Sequence, residues 1–183
     1  MSVMSPPPTQ SLPETPLFEV VQGKFVALPP MGAFATRIAT ILAHSLFSFA
    51  EERMLGRVLV ETLFLLDEKT KTKRRPDVAF VSYDRWAQDA EVPIDEGWNV
   101  IPNLAIEVVS PTNGGEDIIT KKREYFAAGV ESVWVLYPNA KEVHVFRSPT
   151  EVRIIDLSGI LDGGEVLPGF QLPLARLFEK GRV

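Results

Sequence analysis

PNLAIEVVSPTNGGEDIITKKREYFAAGVESVWVLYP, residues 102–138, holds two apolar runs separated by a polar turn and a helical stretch. The run LAIEVV is apolar throughout except at Glu107, and Pro111 stops it. The run VWVLY is closed by Pro138. Short continuous runs of this kind read as strands buried on both faces. Between them the spacing predicts a helix over residues 116–128, ended by Gly129, which tolerates the left-handed backbone of a helix cap. A strand–helix–strand unit of this length implies a right-handed crossover between parallel neighbours.

Working upstream, RRPDVAFVS (residues 74–82) reads as another strand, introduced by Pro76. RVLVETLFLLD (residues 57–67) reads as one long, mostly apolar strand. Ile38, Ile41, Leu42, Ser45, Leu46 and Phe49 recur at three- and four-residue steps, which predicts a helix over residues 33–52, with Gly56 helping to end it. FEVVQG and KFVALPP flank Gly23 as a tight hairpin would. The connection after residue 82 has room for a short helix over residues 83–90. Downstream, KEVHVFR and EVRIIDL add strands. The closing segment reads as a loop followed by one helical turn with Leu174, Leu177 and Phe178. The expected fold is α/β (α+β): a mixed β-sheet flanked by helices, forming a single domain over residues 17–183. Residues 1–16, rich in proline, read as a disordered leader.

Composition narrows the function classes. With 183 residues, one domain is expected. The chain has no cysteine, which excludes disulfides and thiolate metal sites and suits a reducing cytoplasm. No signal-peptide pattern is present, and the apolar runs fall short of the ~20 residues of a membrane span, so no membrane partner is expected. The net charge of −5 argues against a protein that coats nucleic acid through phosphate contacts, yet leaves room for an acidic site beside a basic patch. One such patch is the run Lys69, Lys71, Lys73, Arg74 and Arg75, which reads equally as a solvated charged turn. His44 and His144 have no zinc-site spacing.

The candidate chemistry rests on acids in apolar company. A carboxylate at Glu107, inside a strand buried on both faces, must be paired, protonated or bound to a cation. Asp77 opens an apolar strand directly after Pro76; alone it reads as ordinary turn chemistry. Two acids on neighbouring strands can share a hard cation such as Mg²⁺, with Mn²⁺ as substitute. Mg²⁺ takes one or two carboxylates and leaves the remaining positions to water and phosphate oxygens. On the following helix, Asp117, Lys121 and Tyr125 are four apart and share a face. A lysine there could offset charge developing on a phosphate; the alternative is a plain Asp117–Lys121 surface pair. Glu61, inside the long strand, is a weaker candidate, and a cross-strand ion pair explains it equally well.

Together, RRPDVAFVS, PNLAIEVVSPTN and EDIITKKREYFAAGVESVWVLYP resemble the "putative restriction endonuclease" family called Uma2, assigned to the PD-(D/E)XK nuclease superfamily. The resemblance runs from about Phe18 to Phe178. It implies a restriction-endonuclease-like fold and a metal-dependent endonuclease acting on DNA. Asp77 would be the acid of the Pro-Asp motif and Glu107 that of the second strand, the two holding the metal. The superfamily's lysine two positions after that acid is Val109 here. The resemblance therefore implies a lysine moved to the helix: Lys121, with Lys122 beside it as the alternative and Asp117 and Tyr125 as companions. The chain reads MGAFATR where many relatives carry a histidine, and VWVLYP where many end Trp-x-x-Asp-Pro. A two-fold homodimer would bring a site to each strand of a duplex. The competing functions are a nuclease fold that binds nucleic acid or protein without cutting, and an interaction protein whose acids only pair internally.

Overall fold

The computed structural model describes residues 17–94, 97–110 and 115–179. The expected leader and the turn over residues 111–114 lie outside them. In chain order the elements are β1 (Phe18–Val21), β2 (Lys24–Ala27), α1 (Ala33–Glu52), β3 (Gly56–Val60), β4 (Phe64–Asp67), β5 (Thr72–Arg74), β6 (Val78–Ser82) and β7 (Leu104–Val108). They continue with α2 (Gly115–Ala128), β8 (Ser132–Tyr137), β9 (Glu142–Phe146), β10 (Val152–Ile155), β11 (Ile160–Asp162), β12 (Gln171–Pro173) and α3 (Ala175–Phe178).

The large sheet has the order β10-β9-β8-β7-β6-β3. Among the described residues its one parallel pair is β7–β8, joined through α2 as the crossover pattern predicts. Side chains alternate between its faces. Val78, Phe80, Leu104, Ile106, Trp134 and Leu136 meet α1, whose Ile38, Leu42 and Leu46 form one fully buried stripe. Ala79, Val81, Ala105, Val133 and Val135 turn to the other face and meet α2. Glu107 belongs by parity to this second face. A smaller sheet, β2-β1-β5-β4, closes over that side, with Phe64 and Leu66 in the same cluster. The β11–β12 pair and α3 cover the α1 side through Leu161, Leu172, Leu174 and Leu177.

Three expectations change. RVLVETLFLLD is two strands, not one: the chain breaks at Glu61, whose φ of 46° is left-handed, and passes from the large sheet into the small one. Residues 83–90 form turns rather than a helix. The Arg57 guanidinium holds them open by donating to the carbonyls of Trp86, Ala87, Gln88 and Ala90. Gly56 does not end α1 but begins β3, where a Cβ would stand 2.2 Å from the Val81 carbonyl oxygen. α1 is long and apolar enough in composition to match a membrane span; here its buried stripe is spent on the sheet. At the β1–β2 hairpin, Gln22 and Gly23 both have positive φ, the backbone of a tight two-residue turn.

Candidate active site

Strand register brings the two acids together. β6 and β7 pair Val78 with Ile106, Ala79 with Ala105 and Phe80 with Leu104. Extended by one residue, this ladder sets Asp77 opposite Glu107, on the face turned toward α2. The ladder itself stops there. Instead of a strand carbonyl, the Asp77 carboxylate accepts the Val108 N–H at 2.5 Å. Asp77 thus acts as a ladder terminator and is fixed by β7. On its other side the Asp77 carbonyl accepts the Glu61 N–H at 3.2 Å.

Glu107 is 3% exposed. One carboxylate oxygen accepts the Tyr125 hydroxyl at 2.6 Å, and the other faces Lys121 Nζ at 3.4 Å. Tyr125 and Lys121 are one helical turn apart on the buried stripe of α2. Asp117 is exposed. Lys121 forms its ion pairs with Glu107 and with Glu19 of β1, the latter at 3.0 Å. Asp117, expected to orient Lys121, acts on it only through its charge. Lys122 turns away from the acids: it sits over the Phe146 ring at 4.2 Å and donates to the Pro149 carbonyl.

Glu19 is the residue the sequence reading passed over. It is 1% exposed. One carboxylate oxygen accepts the Arg75 N–H at 3.0 Å and the other accepts the Arg74 guanidinium at 2.7 Å. Arg74 also donates to Glu124 at 2.5 Å. The signal was available: Glu19 interrupts the apolar strand FEVV as Glu107 interrupts LAIEVV.

The basic run splits accordingly. Lys69 and Lys71 are exposed on the β4–β5 turn and Lys73 is half-buried. Arg74 is 3% exposed and committed to Glu19 and Glu124, so it cannot serve as a phosphate contact. Arg75 is largely buried, donating to the Phe18 and Glu61 carbonyls. Glu61 is exposed.

Asp77, Glu107, Val108, Ser110, Lys121 and Arg75 line a small pocket of about 60 Å³, roofed by Leu28, Pro29 and Met31. Burial raises the Asp77 carboxyl to about 6, against the pull of the Val108 N–H and Lys121; nearby Glu61 and Glu19 push it the same way as burial. Burial raises Glu107 to about 7, with Lys121 lowering it and Asp77 and Glu19 raising it further. Burial disfavours the Lys121 ammonium, but Glu107 and Glu19 outweigh that and hold it charged well above the usual lysine range. The two pocket acids hold protons more tightly than usual, as carboxylates do when buried near other negative charge.

The donor set suits a hard divalent cation. It offers two carboxylates at one pocket, beside Lys121 and Arg75, and no thiolate or imidazole. Among the described residues no group of three or more acids, histidines or cysteines that could hold a metal ion is present; a cation here would have two carboxylates and would take its other ligands from water and phosphate oxygens.

Comparison with known proteins agrees with this architecture. A crystal structure described as a putative nuclease belonging to DUF820, from Anabaena variabilis, superposes with a TM-score of 0.79 at 20% identity, covering 91% of this chain and 93% of that one. At that identity the likeness is one of fold. No curated protein matches the chain. The family model described as "putative restriction endonuclease" matches residues 8–175, nearly the whole length, and so the chain belongs to the Uma2 family.

Proposed function

We propose that the protein is a Mg²⁺-dependent endonuclease that hydrolyses phosphodiester bonds in DNA, with Asp77 and Glu107 as the cation's protein ligands and Lys121 as the catalytic cation. The observation that carries this reading is the convergence of three elements on one pocket: the entry to β6, the C-terminal end of β7 and the buried stripe of α2. When bound, Mg²⁺ would polarise the phosphoryl group and make water more acidic.

The chain's own groups have distinct tasks. The Val108 N–H fixes Asp77, and the Tyr125 hydroxyl fixes one oxygen of Glu107. Each acid is thereby held in one orientation, which supports a site with little reorganisation. Lys121 stays protonated between two carboxylates. It therefore acts as a donor to a phosphate oxygen and offsets negative charge as that charge grows, rather than removing a proton from water. Lys69 and Lys71, exposed on the β4–β5 turn, are the groups left to guide a strand electrostatically.

The test is cleavage of plasmid DNA, single-stranded DNA and RNA with Mg²⁺ or Mn²⁺, set beside Asp77→Asn. Metal-dependent cutting of DNA that Asp77→Asn abolishes supports the reading. Binding of nucleic acid with no cutting under any metal replaces it with a non-catalytic binding module. Sedimentation of the active species would show whether a homodimer supplies a site to each strand.

A further inference from the structure

Among the described residues the Lys121 ammonium forms ion pairs with two carboxylates, and the nearer one is not at the pocket. Glu19 lies 3.0 Å from Nζ and Glu107 lies 3.4 Å away. Glu107 and Asp77 line the pocket, as does Lys121; Glu19 stands behind Lys121 and does not. We propose that Glu19 is the positioning residue for Lys121, holding the ammonium in place when Glu107 is given over to a cation. This rests on the function proposed above and adds a role to a residue outside its ligand set.

The argument is one of charge competition. Lys121 is 4% exposed. With no cation present, Glu107 and Glu19 share it. A divalent cation on Glu107 cancels the attraction between Glu107 and Lys121 and repels the ammonium. A buried ammonium left without a nearby carboxylate would be strongly unfavourable and would move. Glu19 prevents that movement. Its own position is over-determined: Arg74 holds one oxygen and the Arg75 N–H holds the other, so it cannot follow Lys121 into the pocket. One carboxylate therefore serves the cation while the other serves the lysine, and the two positive charges coexist at close range.

The competing interpretation is that Glu19 merely ties the small sheet to α2 through a buried ion network. The two differ in what depends on Lys121. Without the Glu19 charge, Lys121 has only Glu107 and competes with the cation for it; without Lys121 there is no competitor. Mn²⁺ affinity is measured by calorimetry, well below the melting temperature, for the wild type, Glu19→Gln, Lys121→Met and the double variant. Residues in one ion network commonly couple by factors of about 2 to 150. The expected result is a loss of at least about fivefold for Glu19→Gln in the wild-type background and less than about twofold in the Lys121→Met background. The kcat of Glu19→Gln should fall with little change in KM, and Glu19→Asp, which keeps the charge, should recover part of the Mn²⁺ affinity. Equal losses in both backgrounds, or a lower melting temperature with Mn²⁺ affinity unchanged, would overturn the proposal. If Glu19→Gln does not fold, Glu19→Asp carries the cycle: its shortened reach should give a smaller loss in the wild-type background that vanishes in the Lys121→Met background, and equal losses in both would overturn the proposal. Wild-type protein that binds no Mn²⁺ is a separate outcome: it removes the proposed function, and this inference with it.

Discussion

Cation binding should be strongly pH-dependent, because the cation must displace protons that Asp77 and Glu107 hold unusually well. With the two groups near 6 and 7, lowering the pH from 8 to 5 costs a factor of about 10 at Asp77 and about 100 at Glu107, or roughly a thousandfold in apparent Kd if both must ionise. The titration belongs to the pair rather than to either residue, so the fall should be spread across the range. Calorimetric titration with Mn²⁺ at several pH values, in buffers of different ionisation heat, reads both affinity and proton release. Between one and two protons should leave per cation near pH 5.5, and close to none at pH 8. Glu107→Gln should shrink both the release and the slope. The same groups set the sign of a stability effect. Each folded pKa is raised above its ordinary value, so their contribution is fully present below pH 4 and is lost as pH rises to about 7, on a scale of about 3 kcal/mol per group. Cation-free protein should therefore lose stability across that window, and Mn²⁺ should restore it at the upper end. An apparent Kd that varies less than about threefold between pH 5 and 8, with no proton release, would refute the reasoning.

Asp77→Asn should lose cation binding and cleavage together, as measured by calorimetry and a plasmid nicking assay. Lys121→Ala should retain cation affinity while slowing single-turnover cleavage by about 100-fold or more, as loss of a donor to developing charge does. Lys122→Ala should leave the rate within about twofold, since Lys122 faces Phe146; the reverse ranking would reassign the catalytic cation. Reversing the charge of both Lys69 and Lys71 should weaken DNA binding and lower the log–log salt slope by about 1 for each phosphate contact removed, in fluorescence anisotropy against salt. Arg74→Met should instead destabilise the fold, by about 3 kcal/mol or less in denaturant titration, because it takes the guanidinium from Glu19 and leaves that buried carboxylate to Lys121 and the Arg75 N–H alone.

The β7–α2–β8 unit was legible because its signals are local. Apolar runs marked the strands, proline stopped them, and Gly129, with φ of 102°, ended the helix where a left-handed residue was needed. Glu107 stood out because a charge inside such a run demands a partner. The misread parts depended on distant groups. Glu61 adopts a left-handed backbone without being glycine or asparagine, so nothing in RVLVETLFLLD announced the break. β5 is three residues long and carries two cations in a basic run, which reads as solvent-facing. Arg74 is buried only because Glu19, 55 residues earlier, is there to receive it. Asp117, at a favourable spacing from Lys121, lost it to carboxylates from two other strands.

The small sheet's β1 supplies Glu19 to a lysine on the crossover helix of the large sheet, and this bears on the order in which the molecule folds. The β7–α2–β8 unit can form its apolar faces from the contiguous stretch of residues 102–138, but the charged cluster closes only when β5, ahead of β6, and β1, from far upstream, dock on it. Contacts of such separation form slowly, because loop-closure entropy is lost before they contribute. Until docking, Lys121 faces Glu107 alone, and Arg74 stands in solvent. Assembly of the two sheets and maturation of the charged cluster are then one late event, and amide exchange protection should rise in β1 and β5 after it is established in β7 and β8.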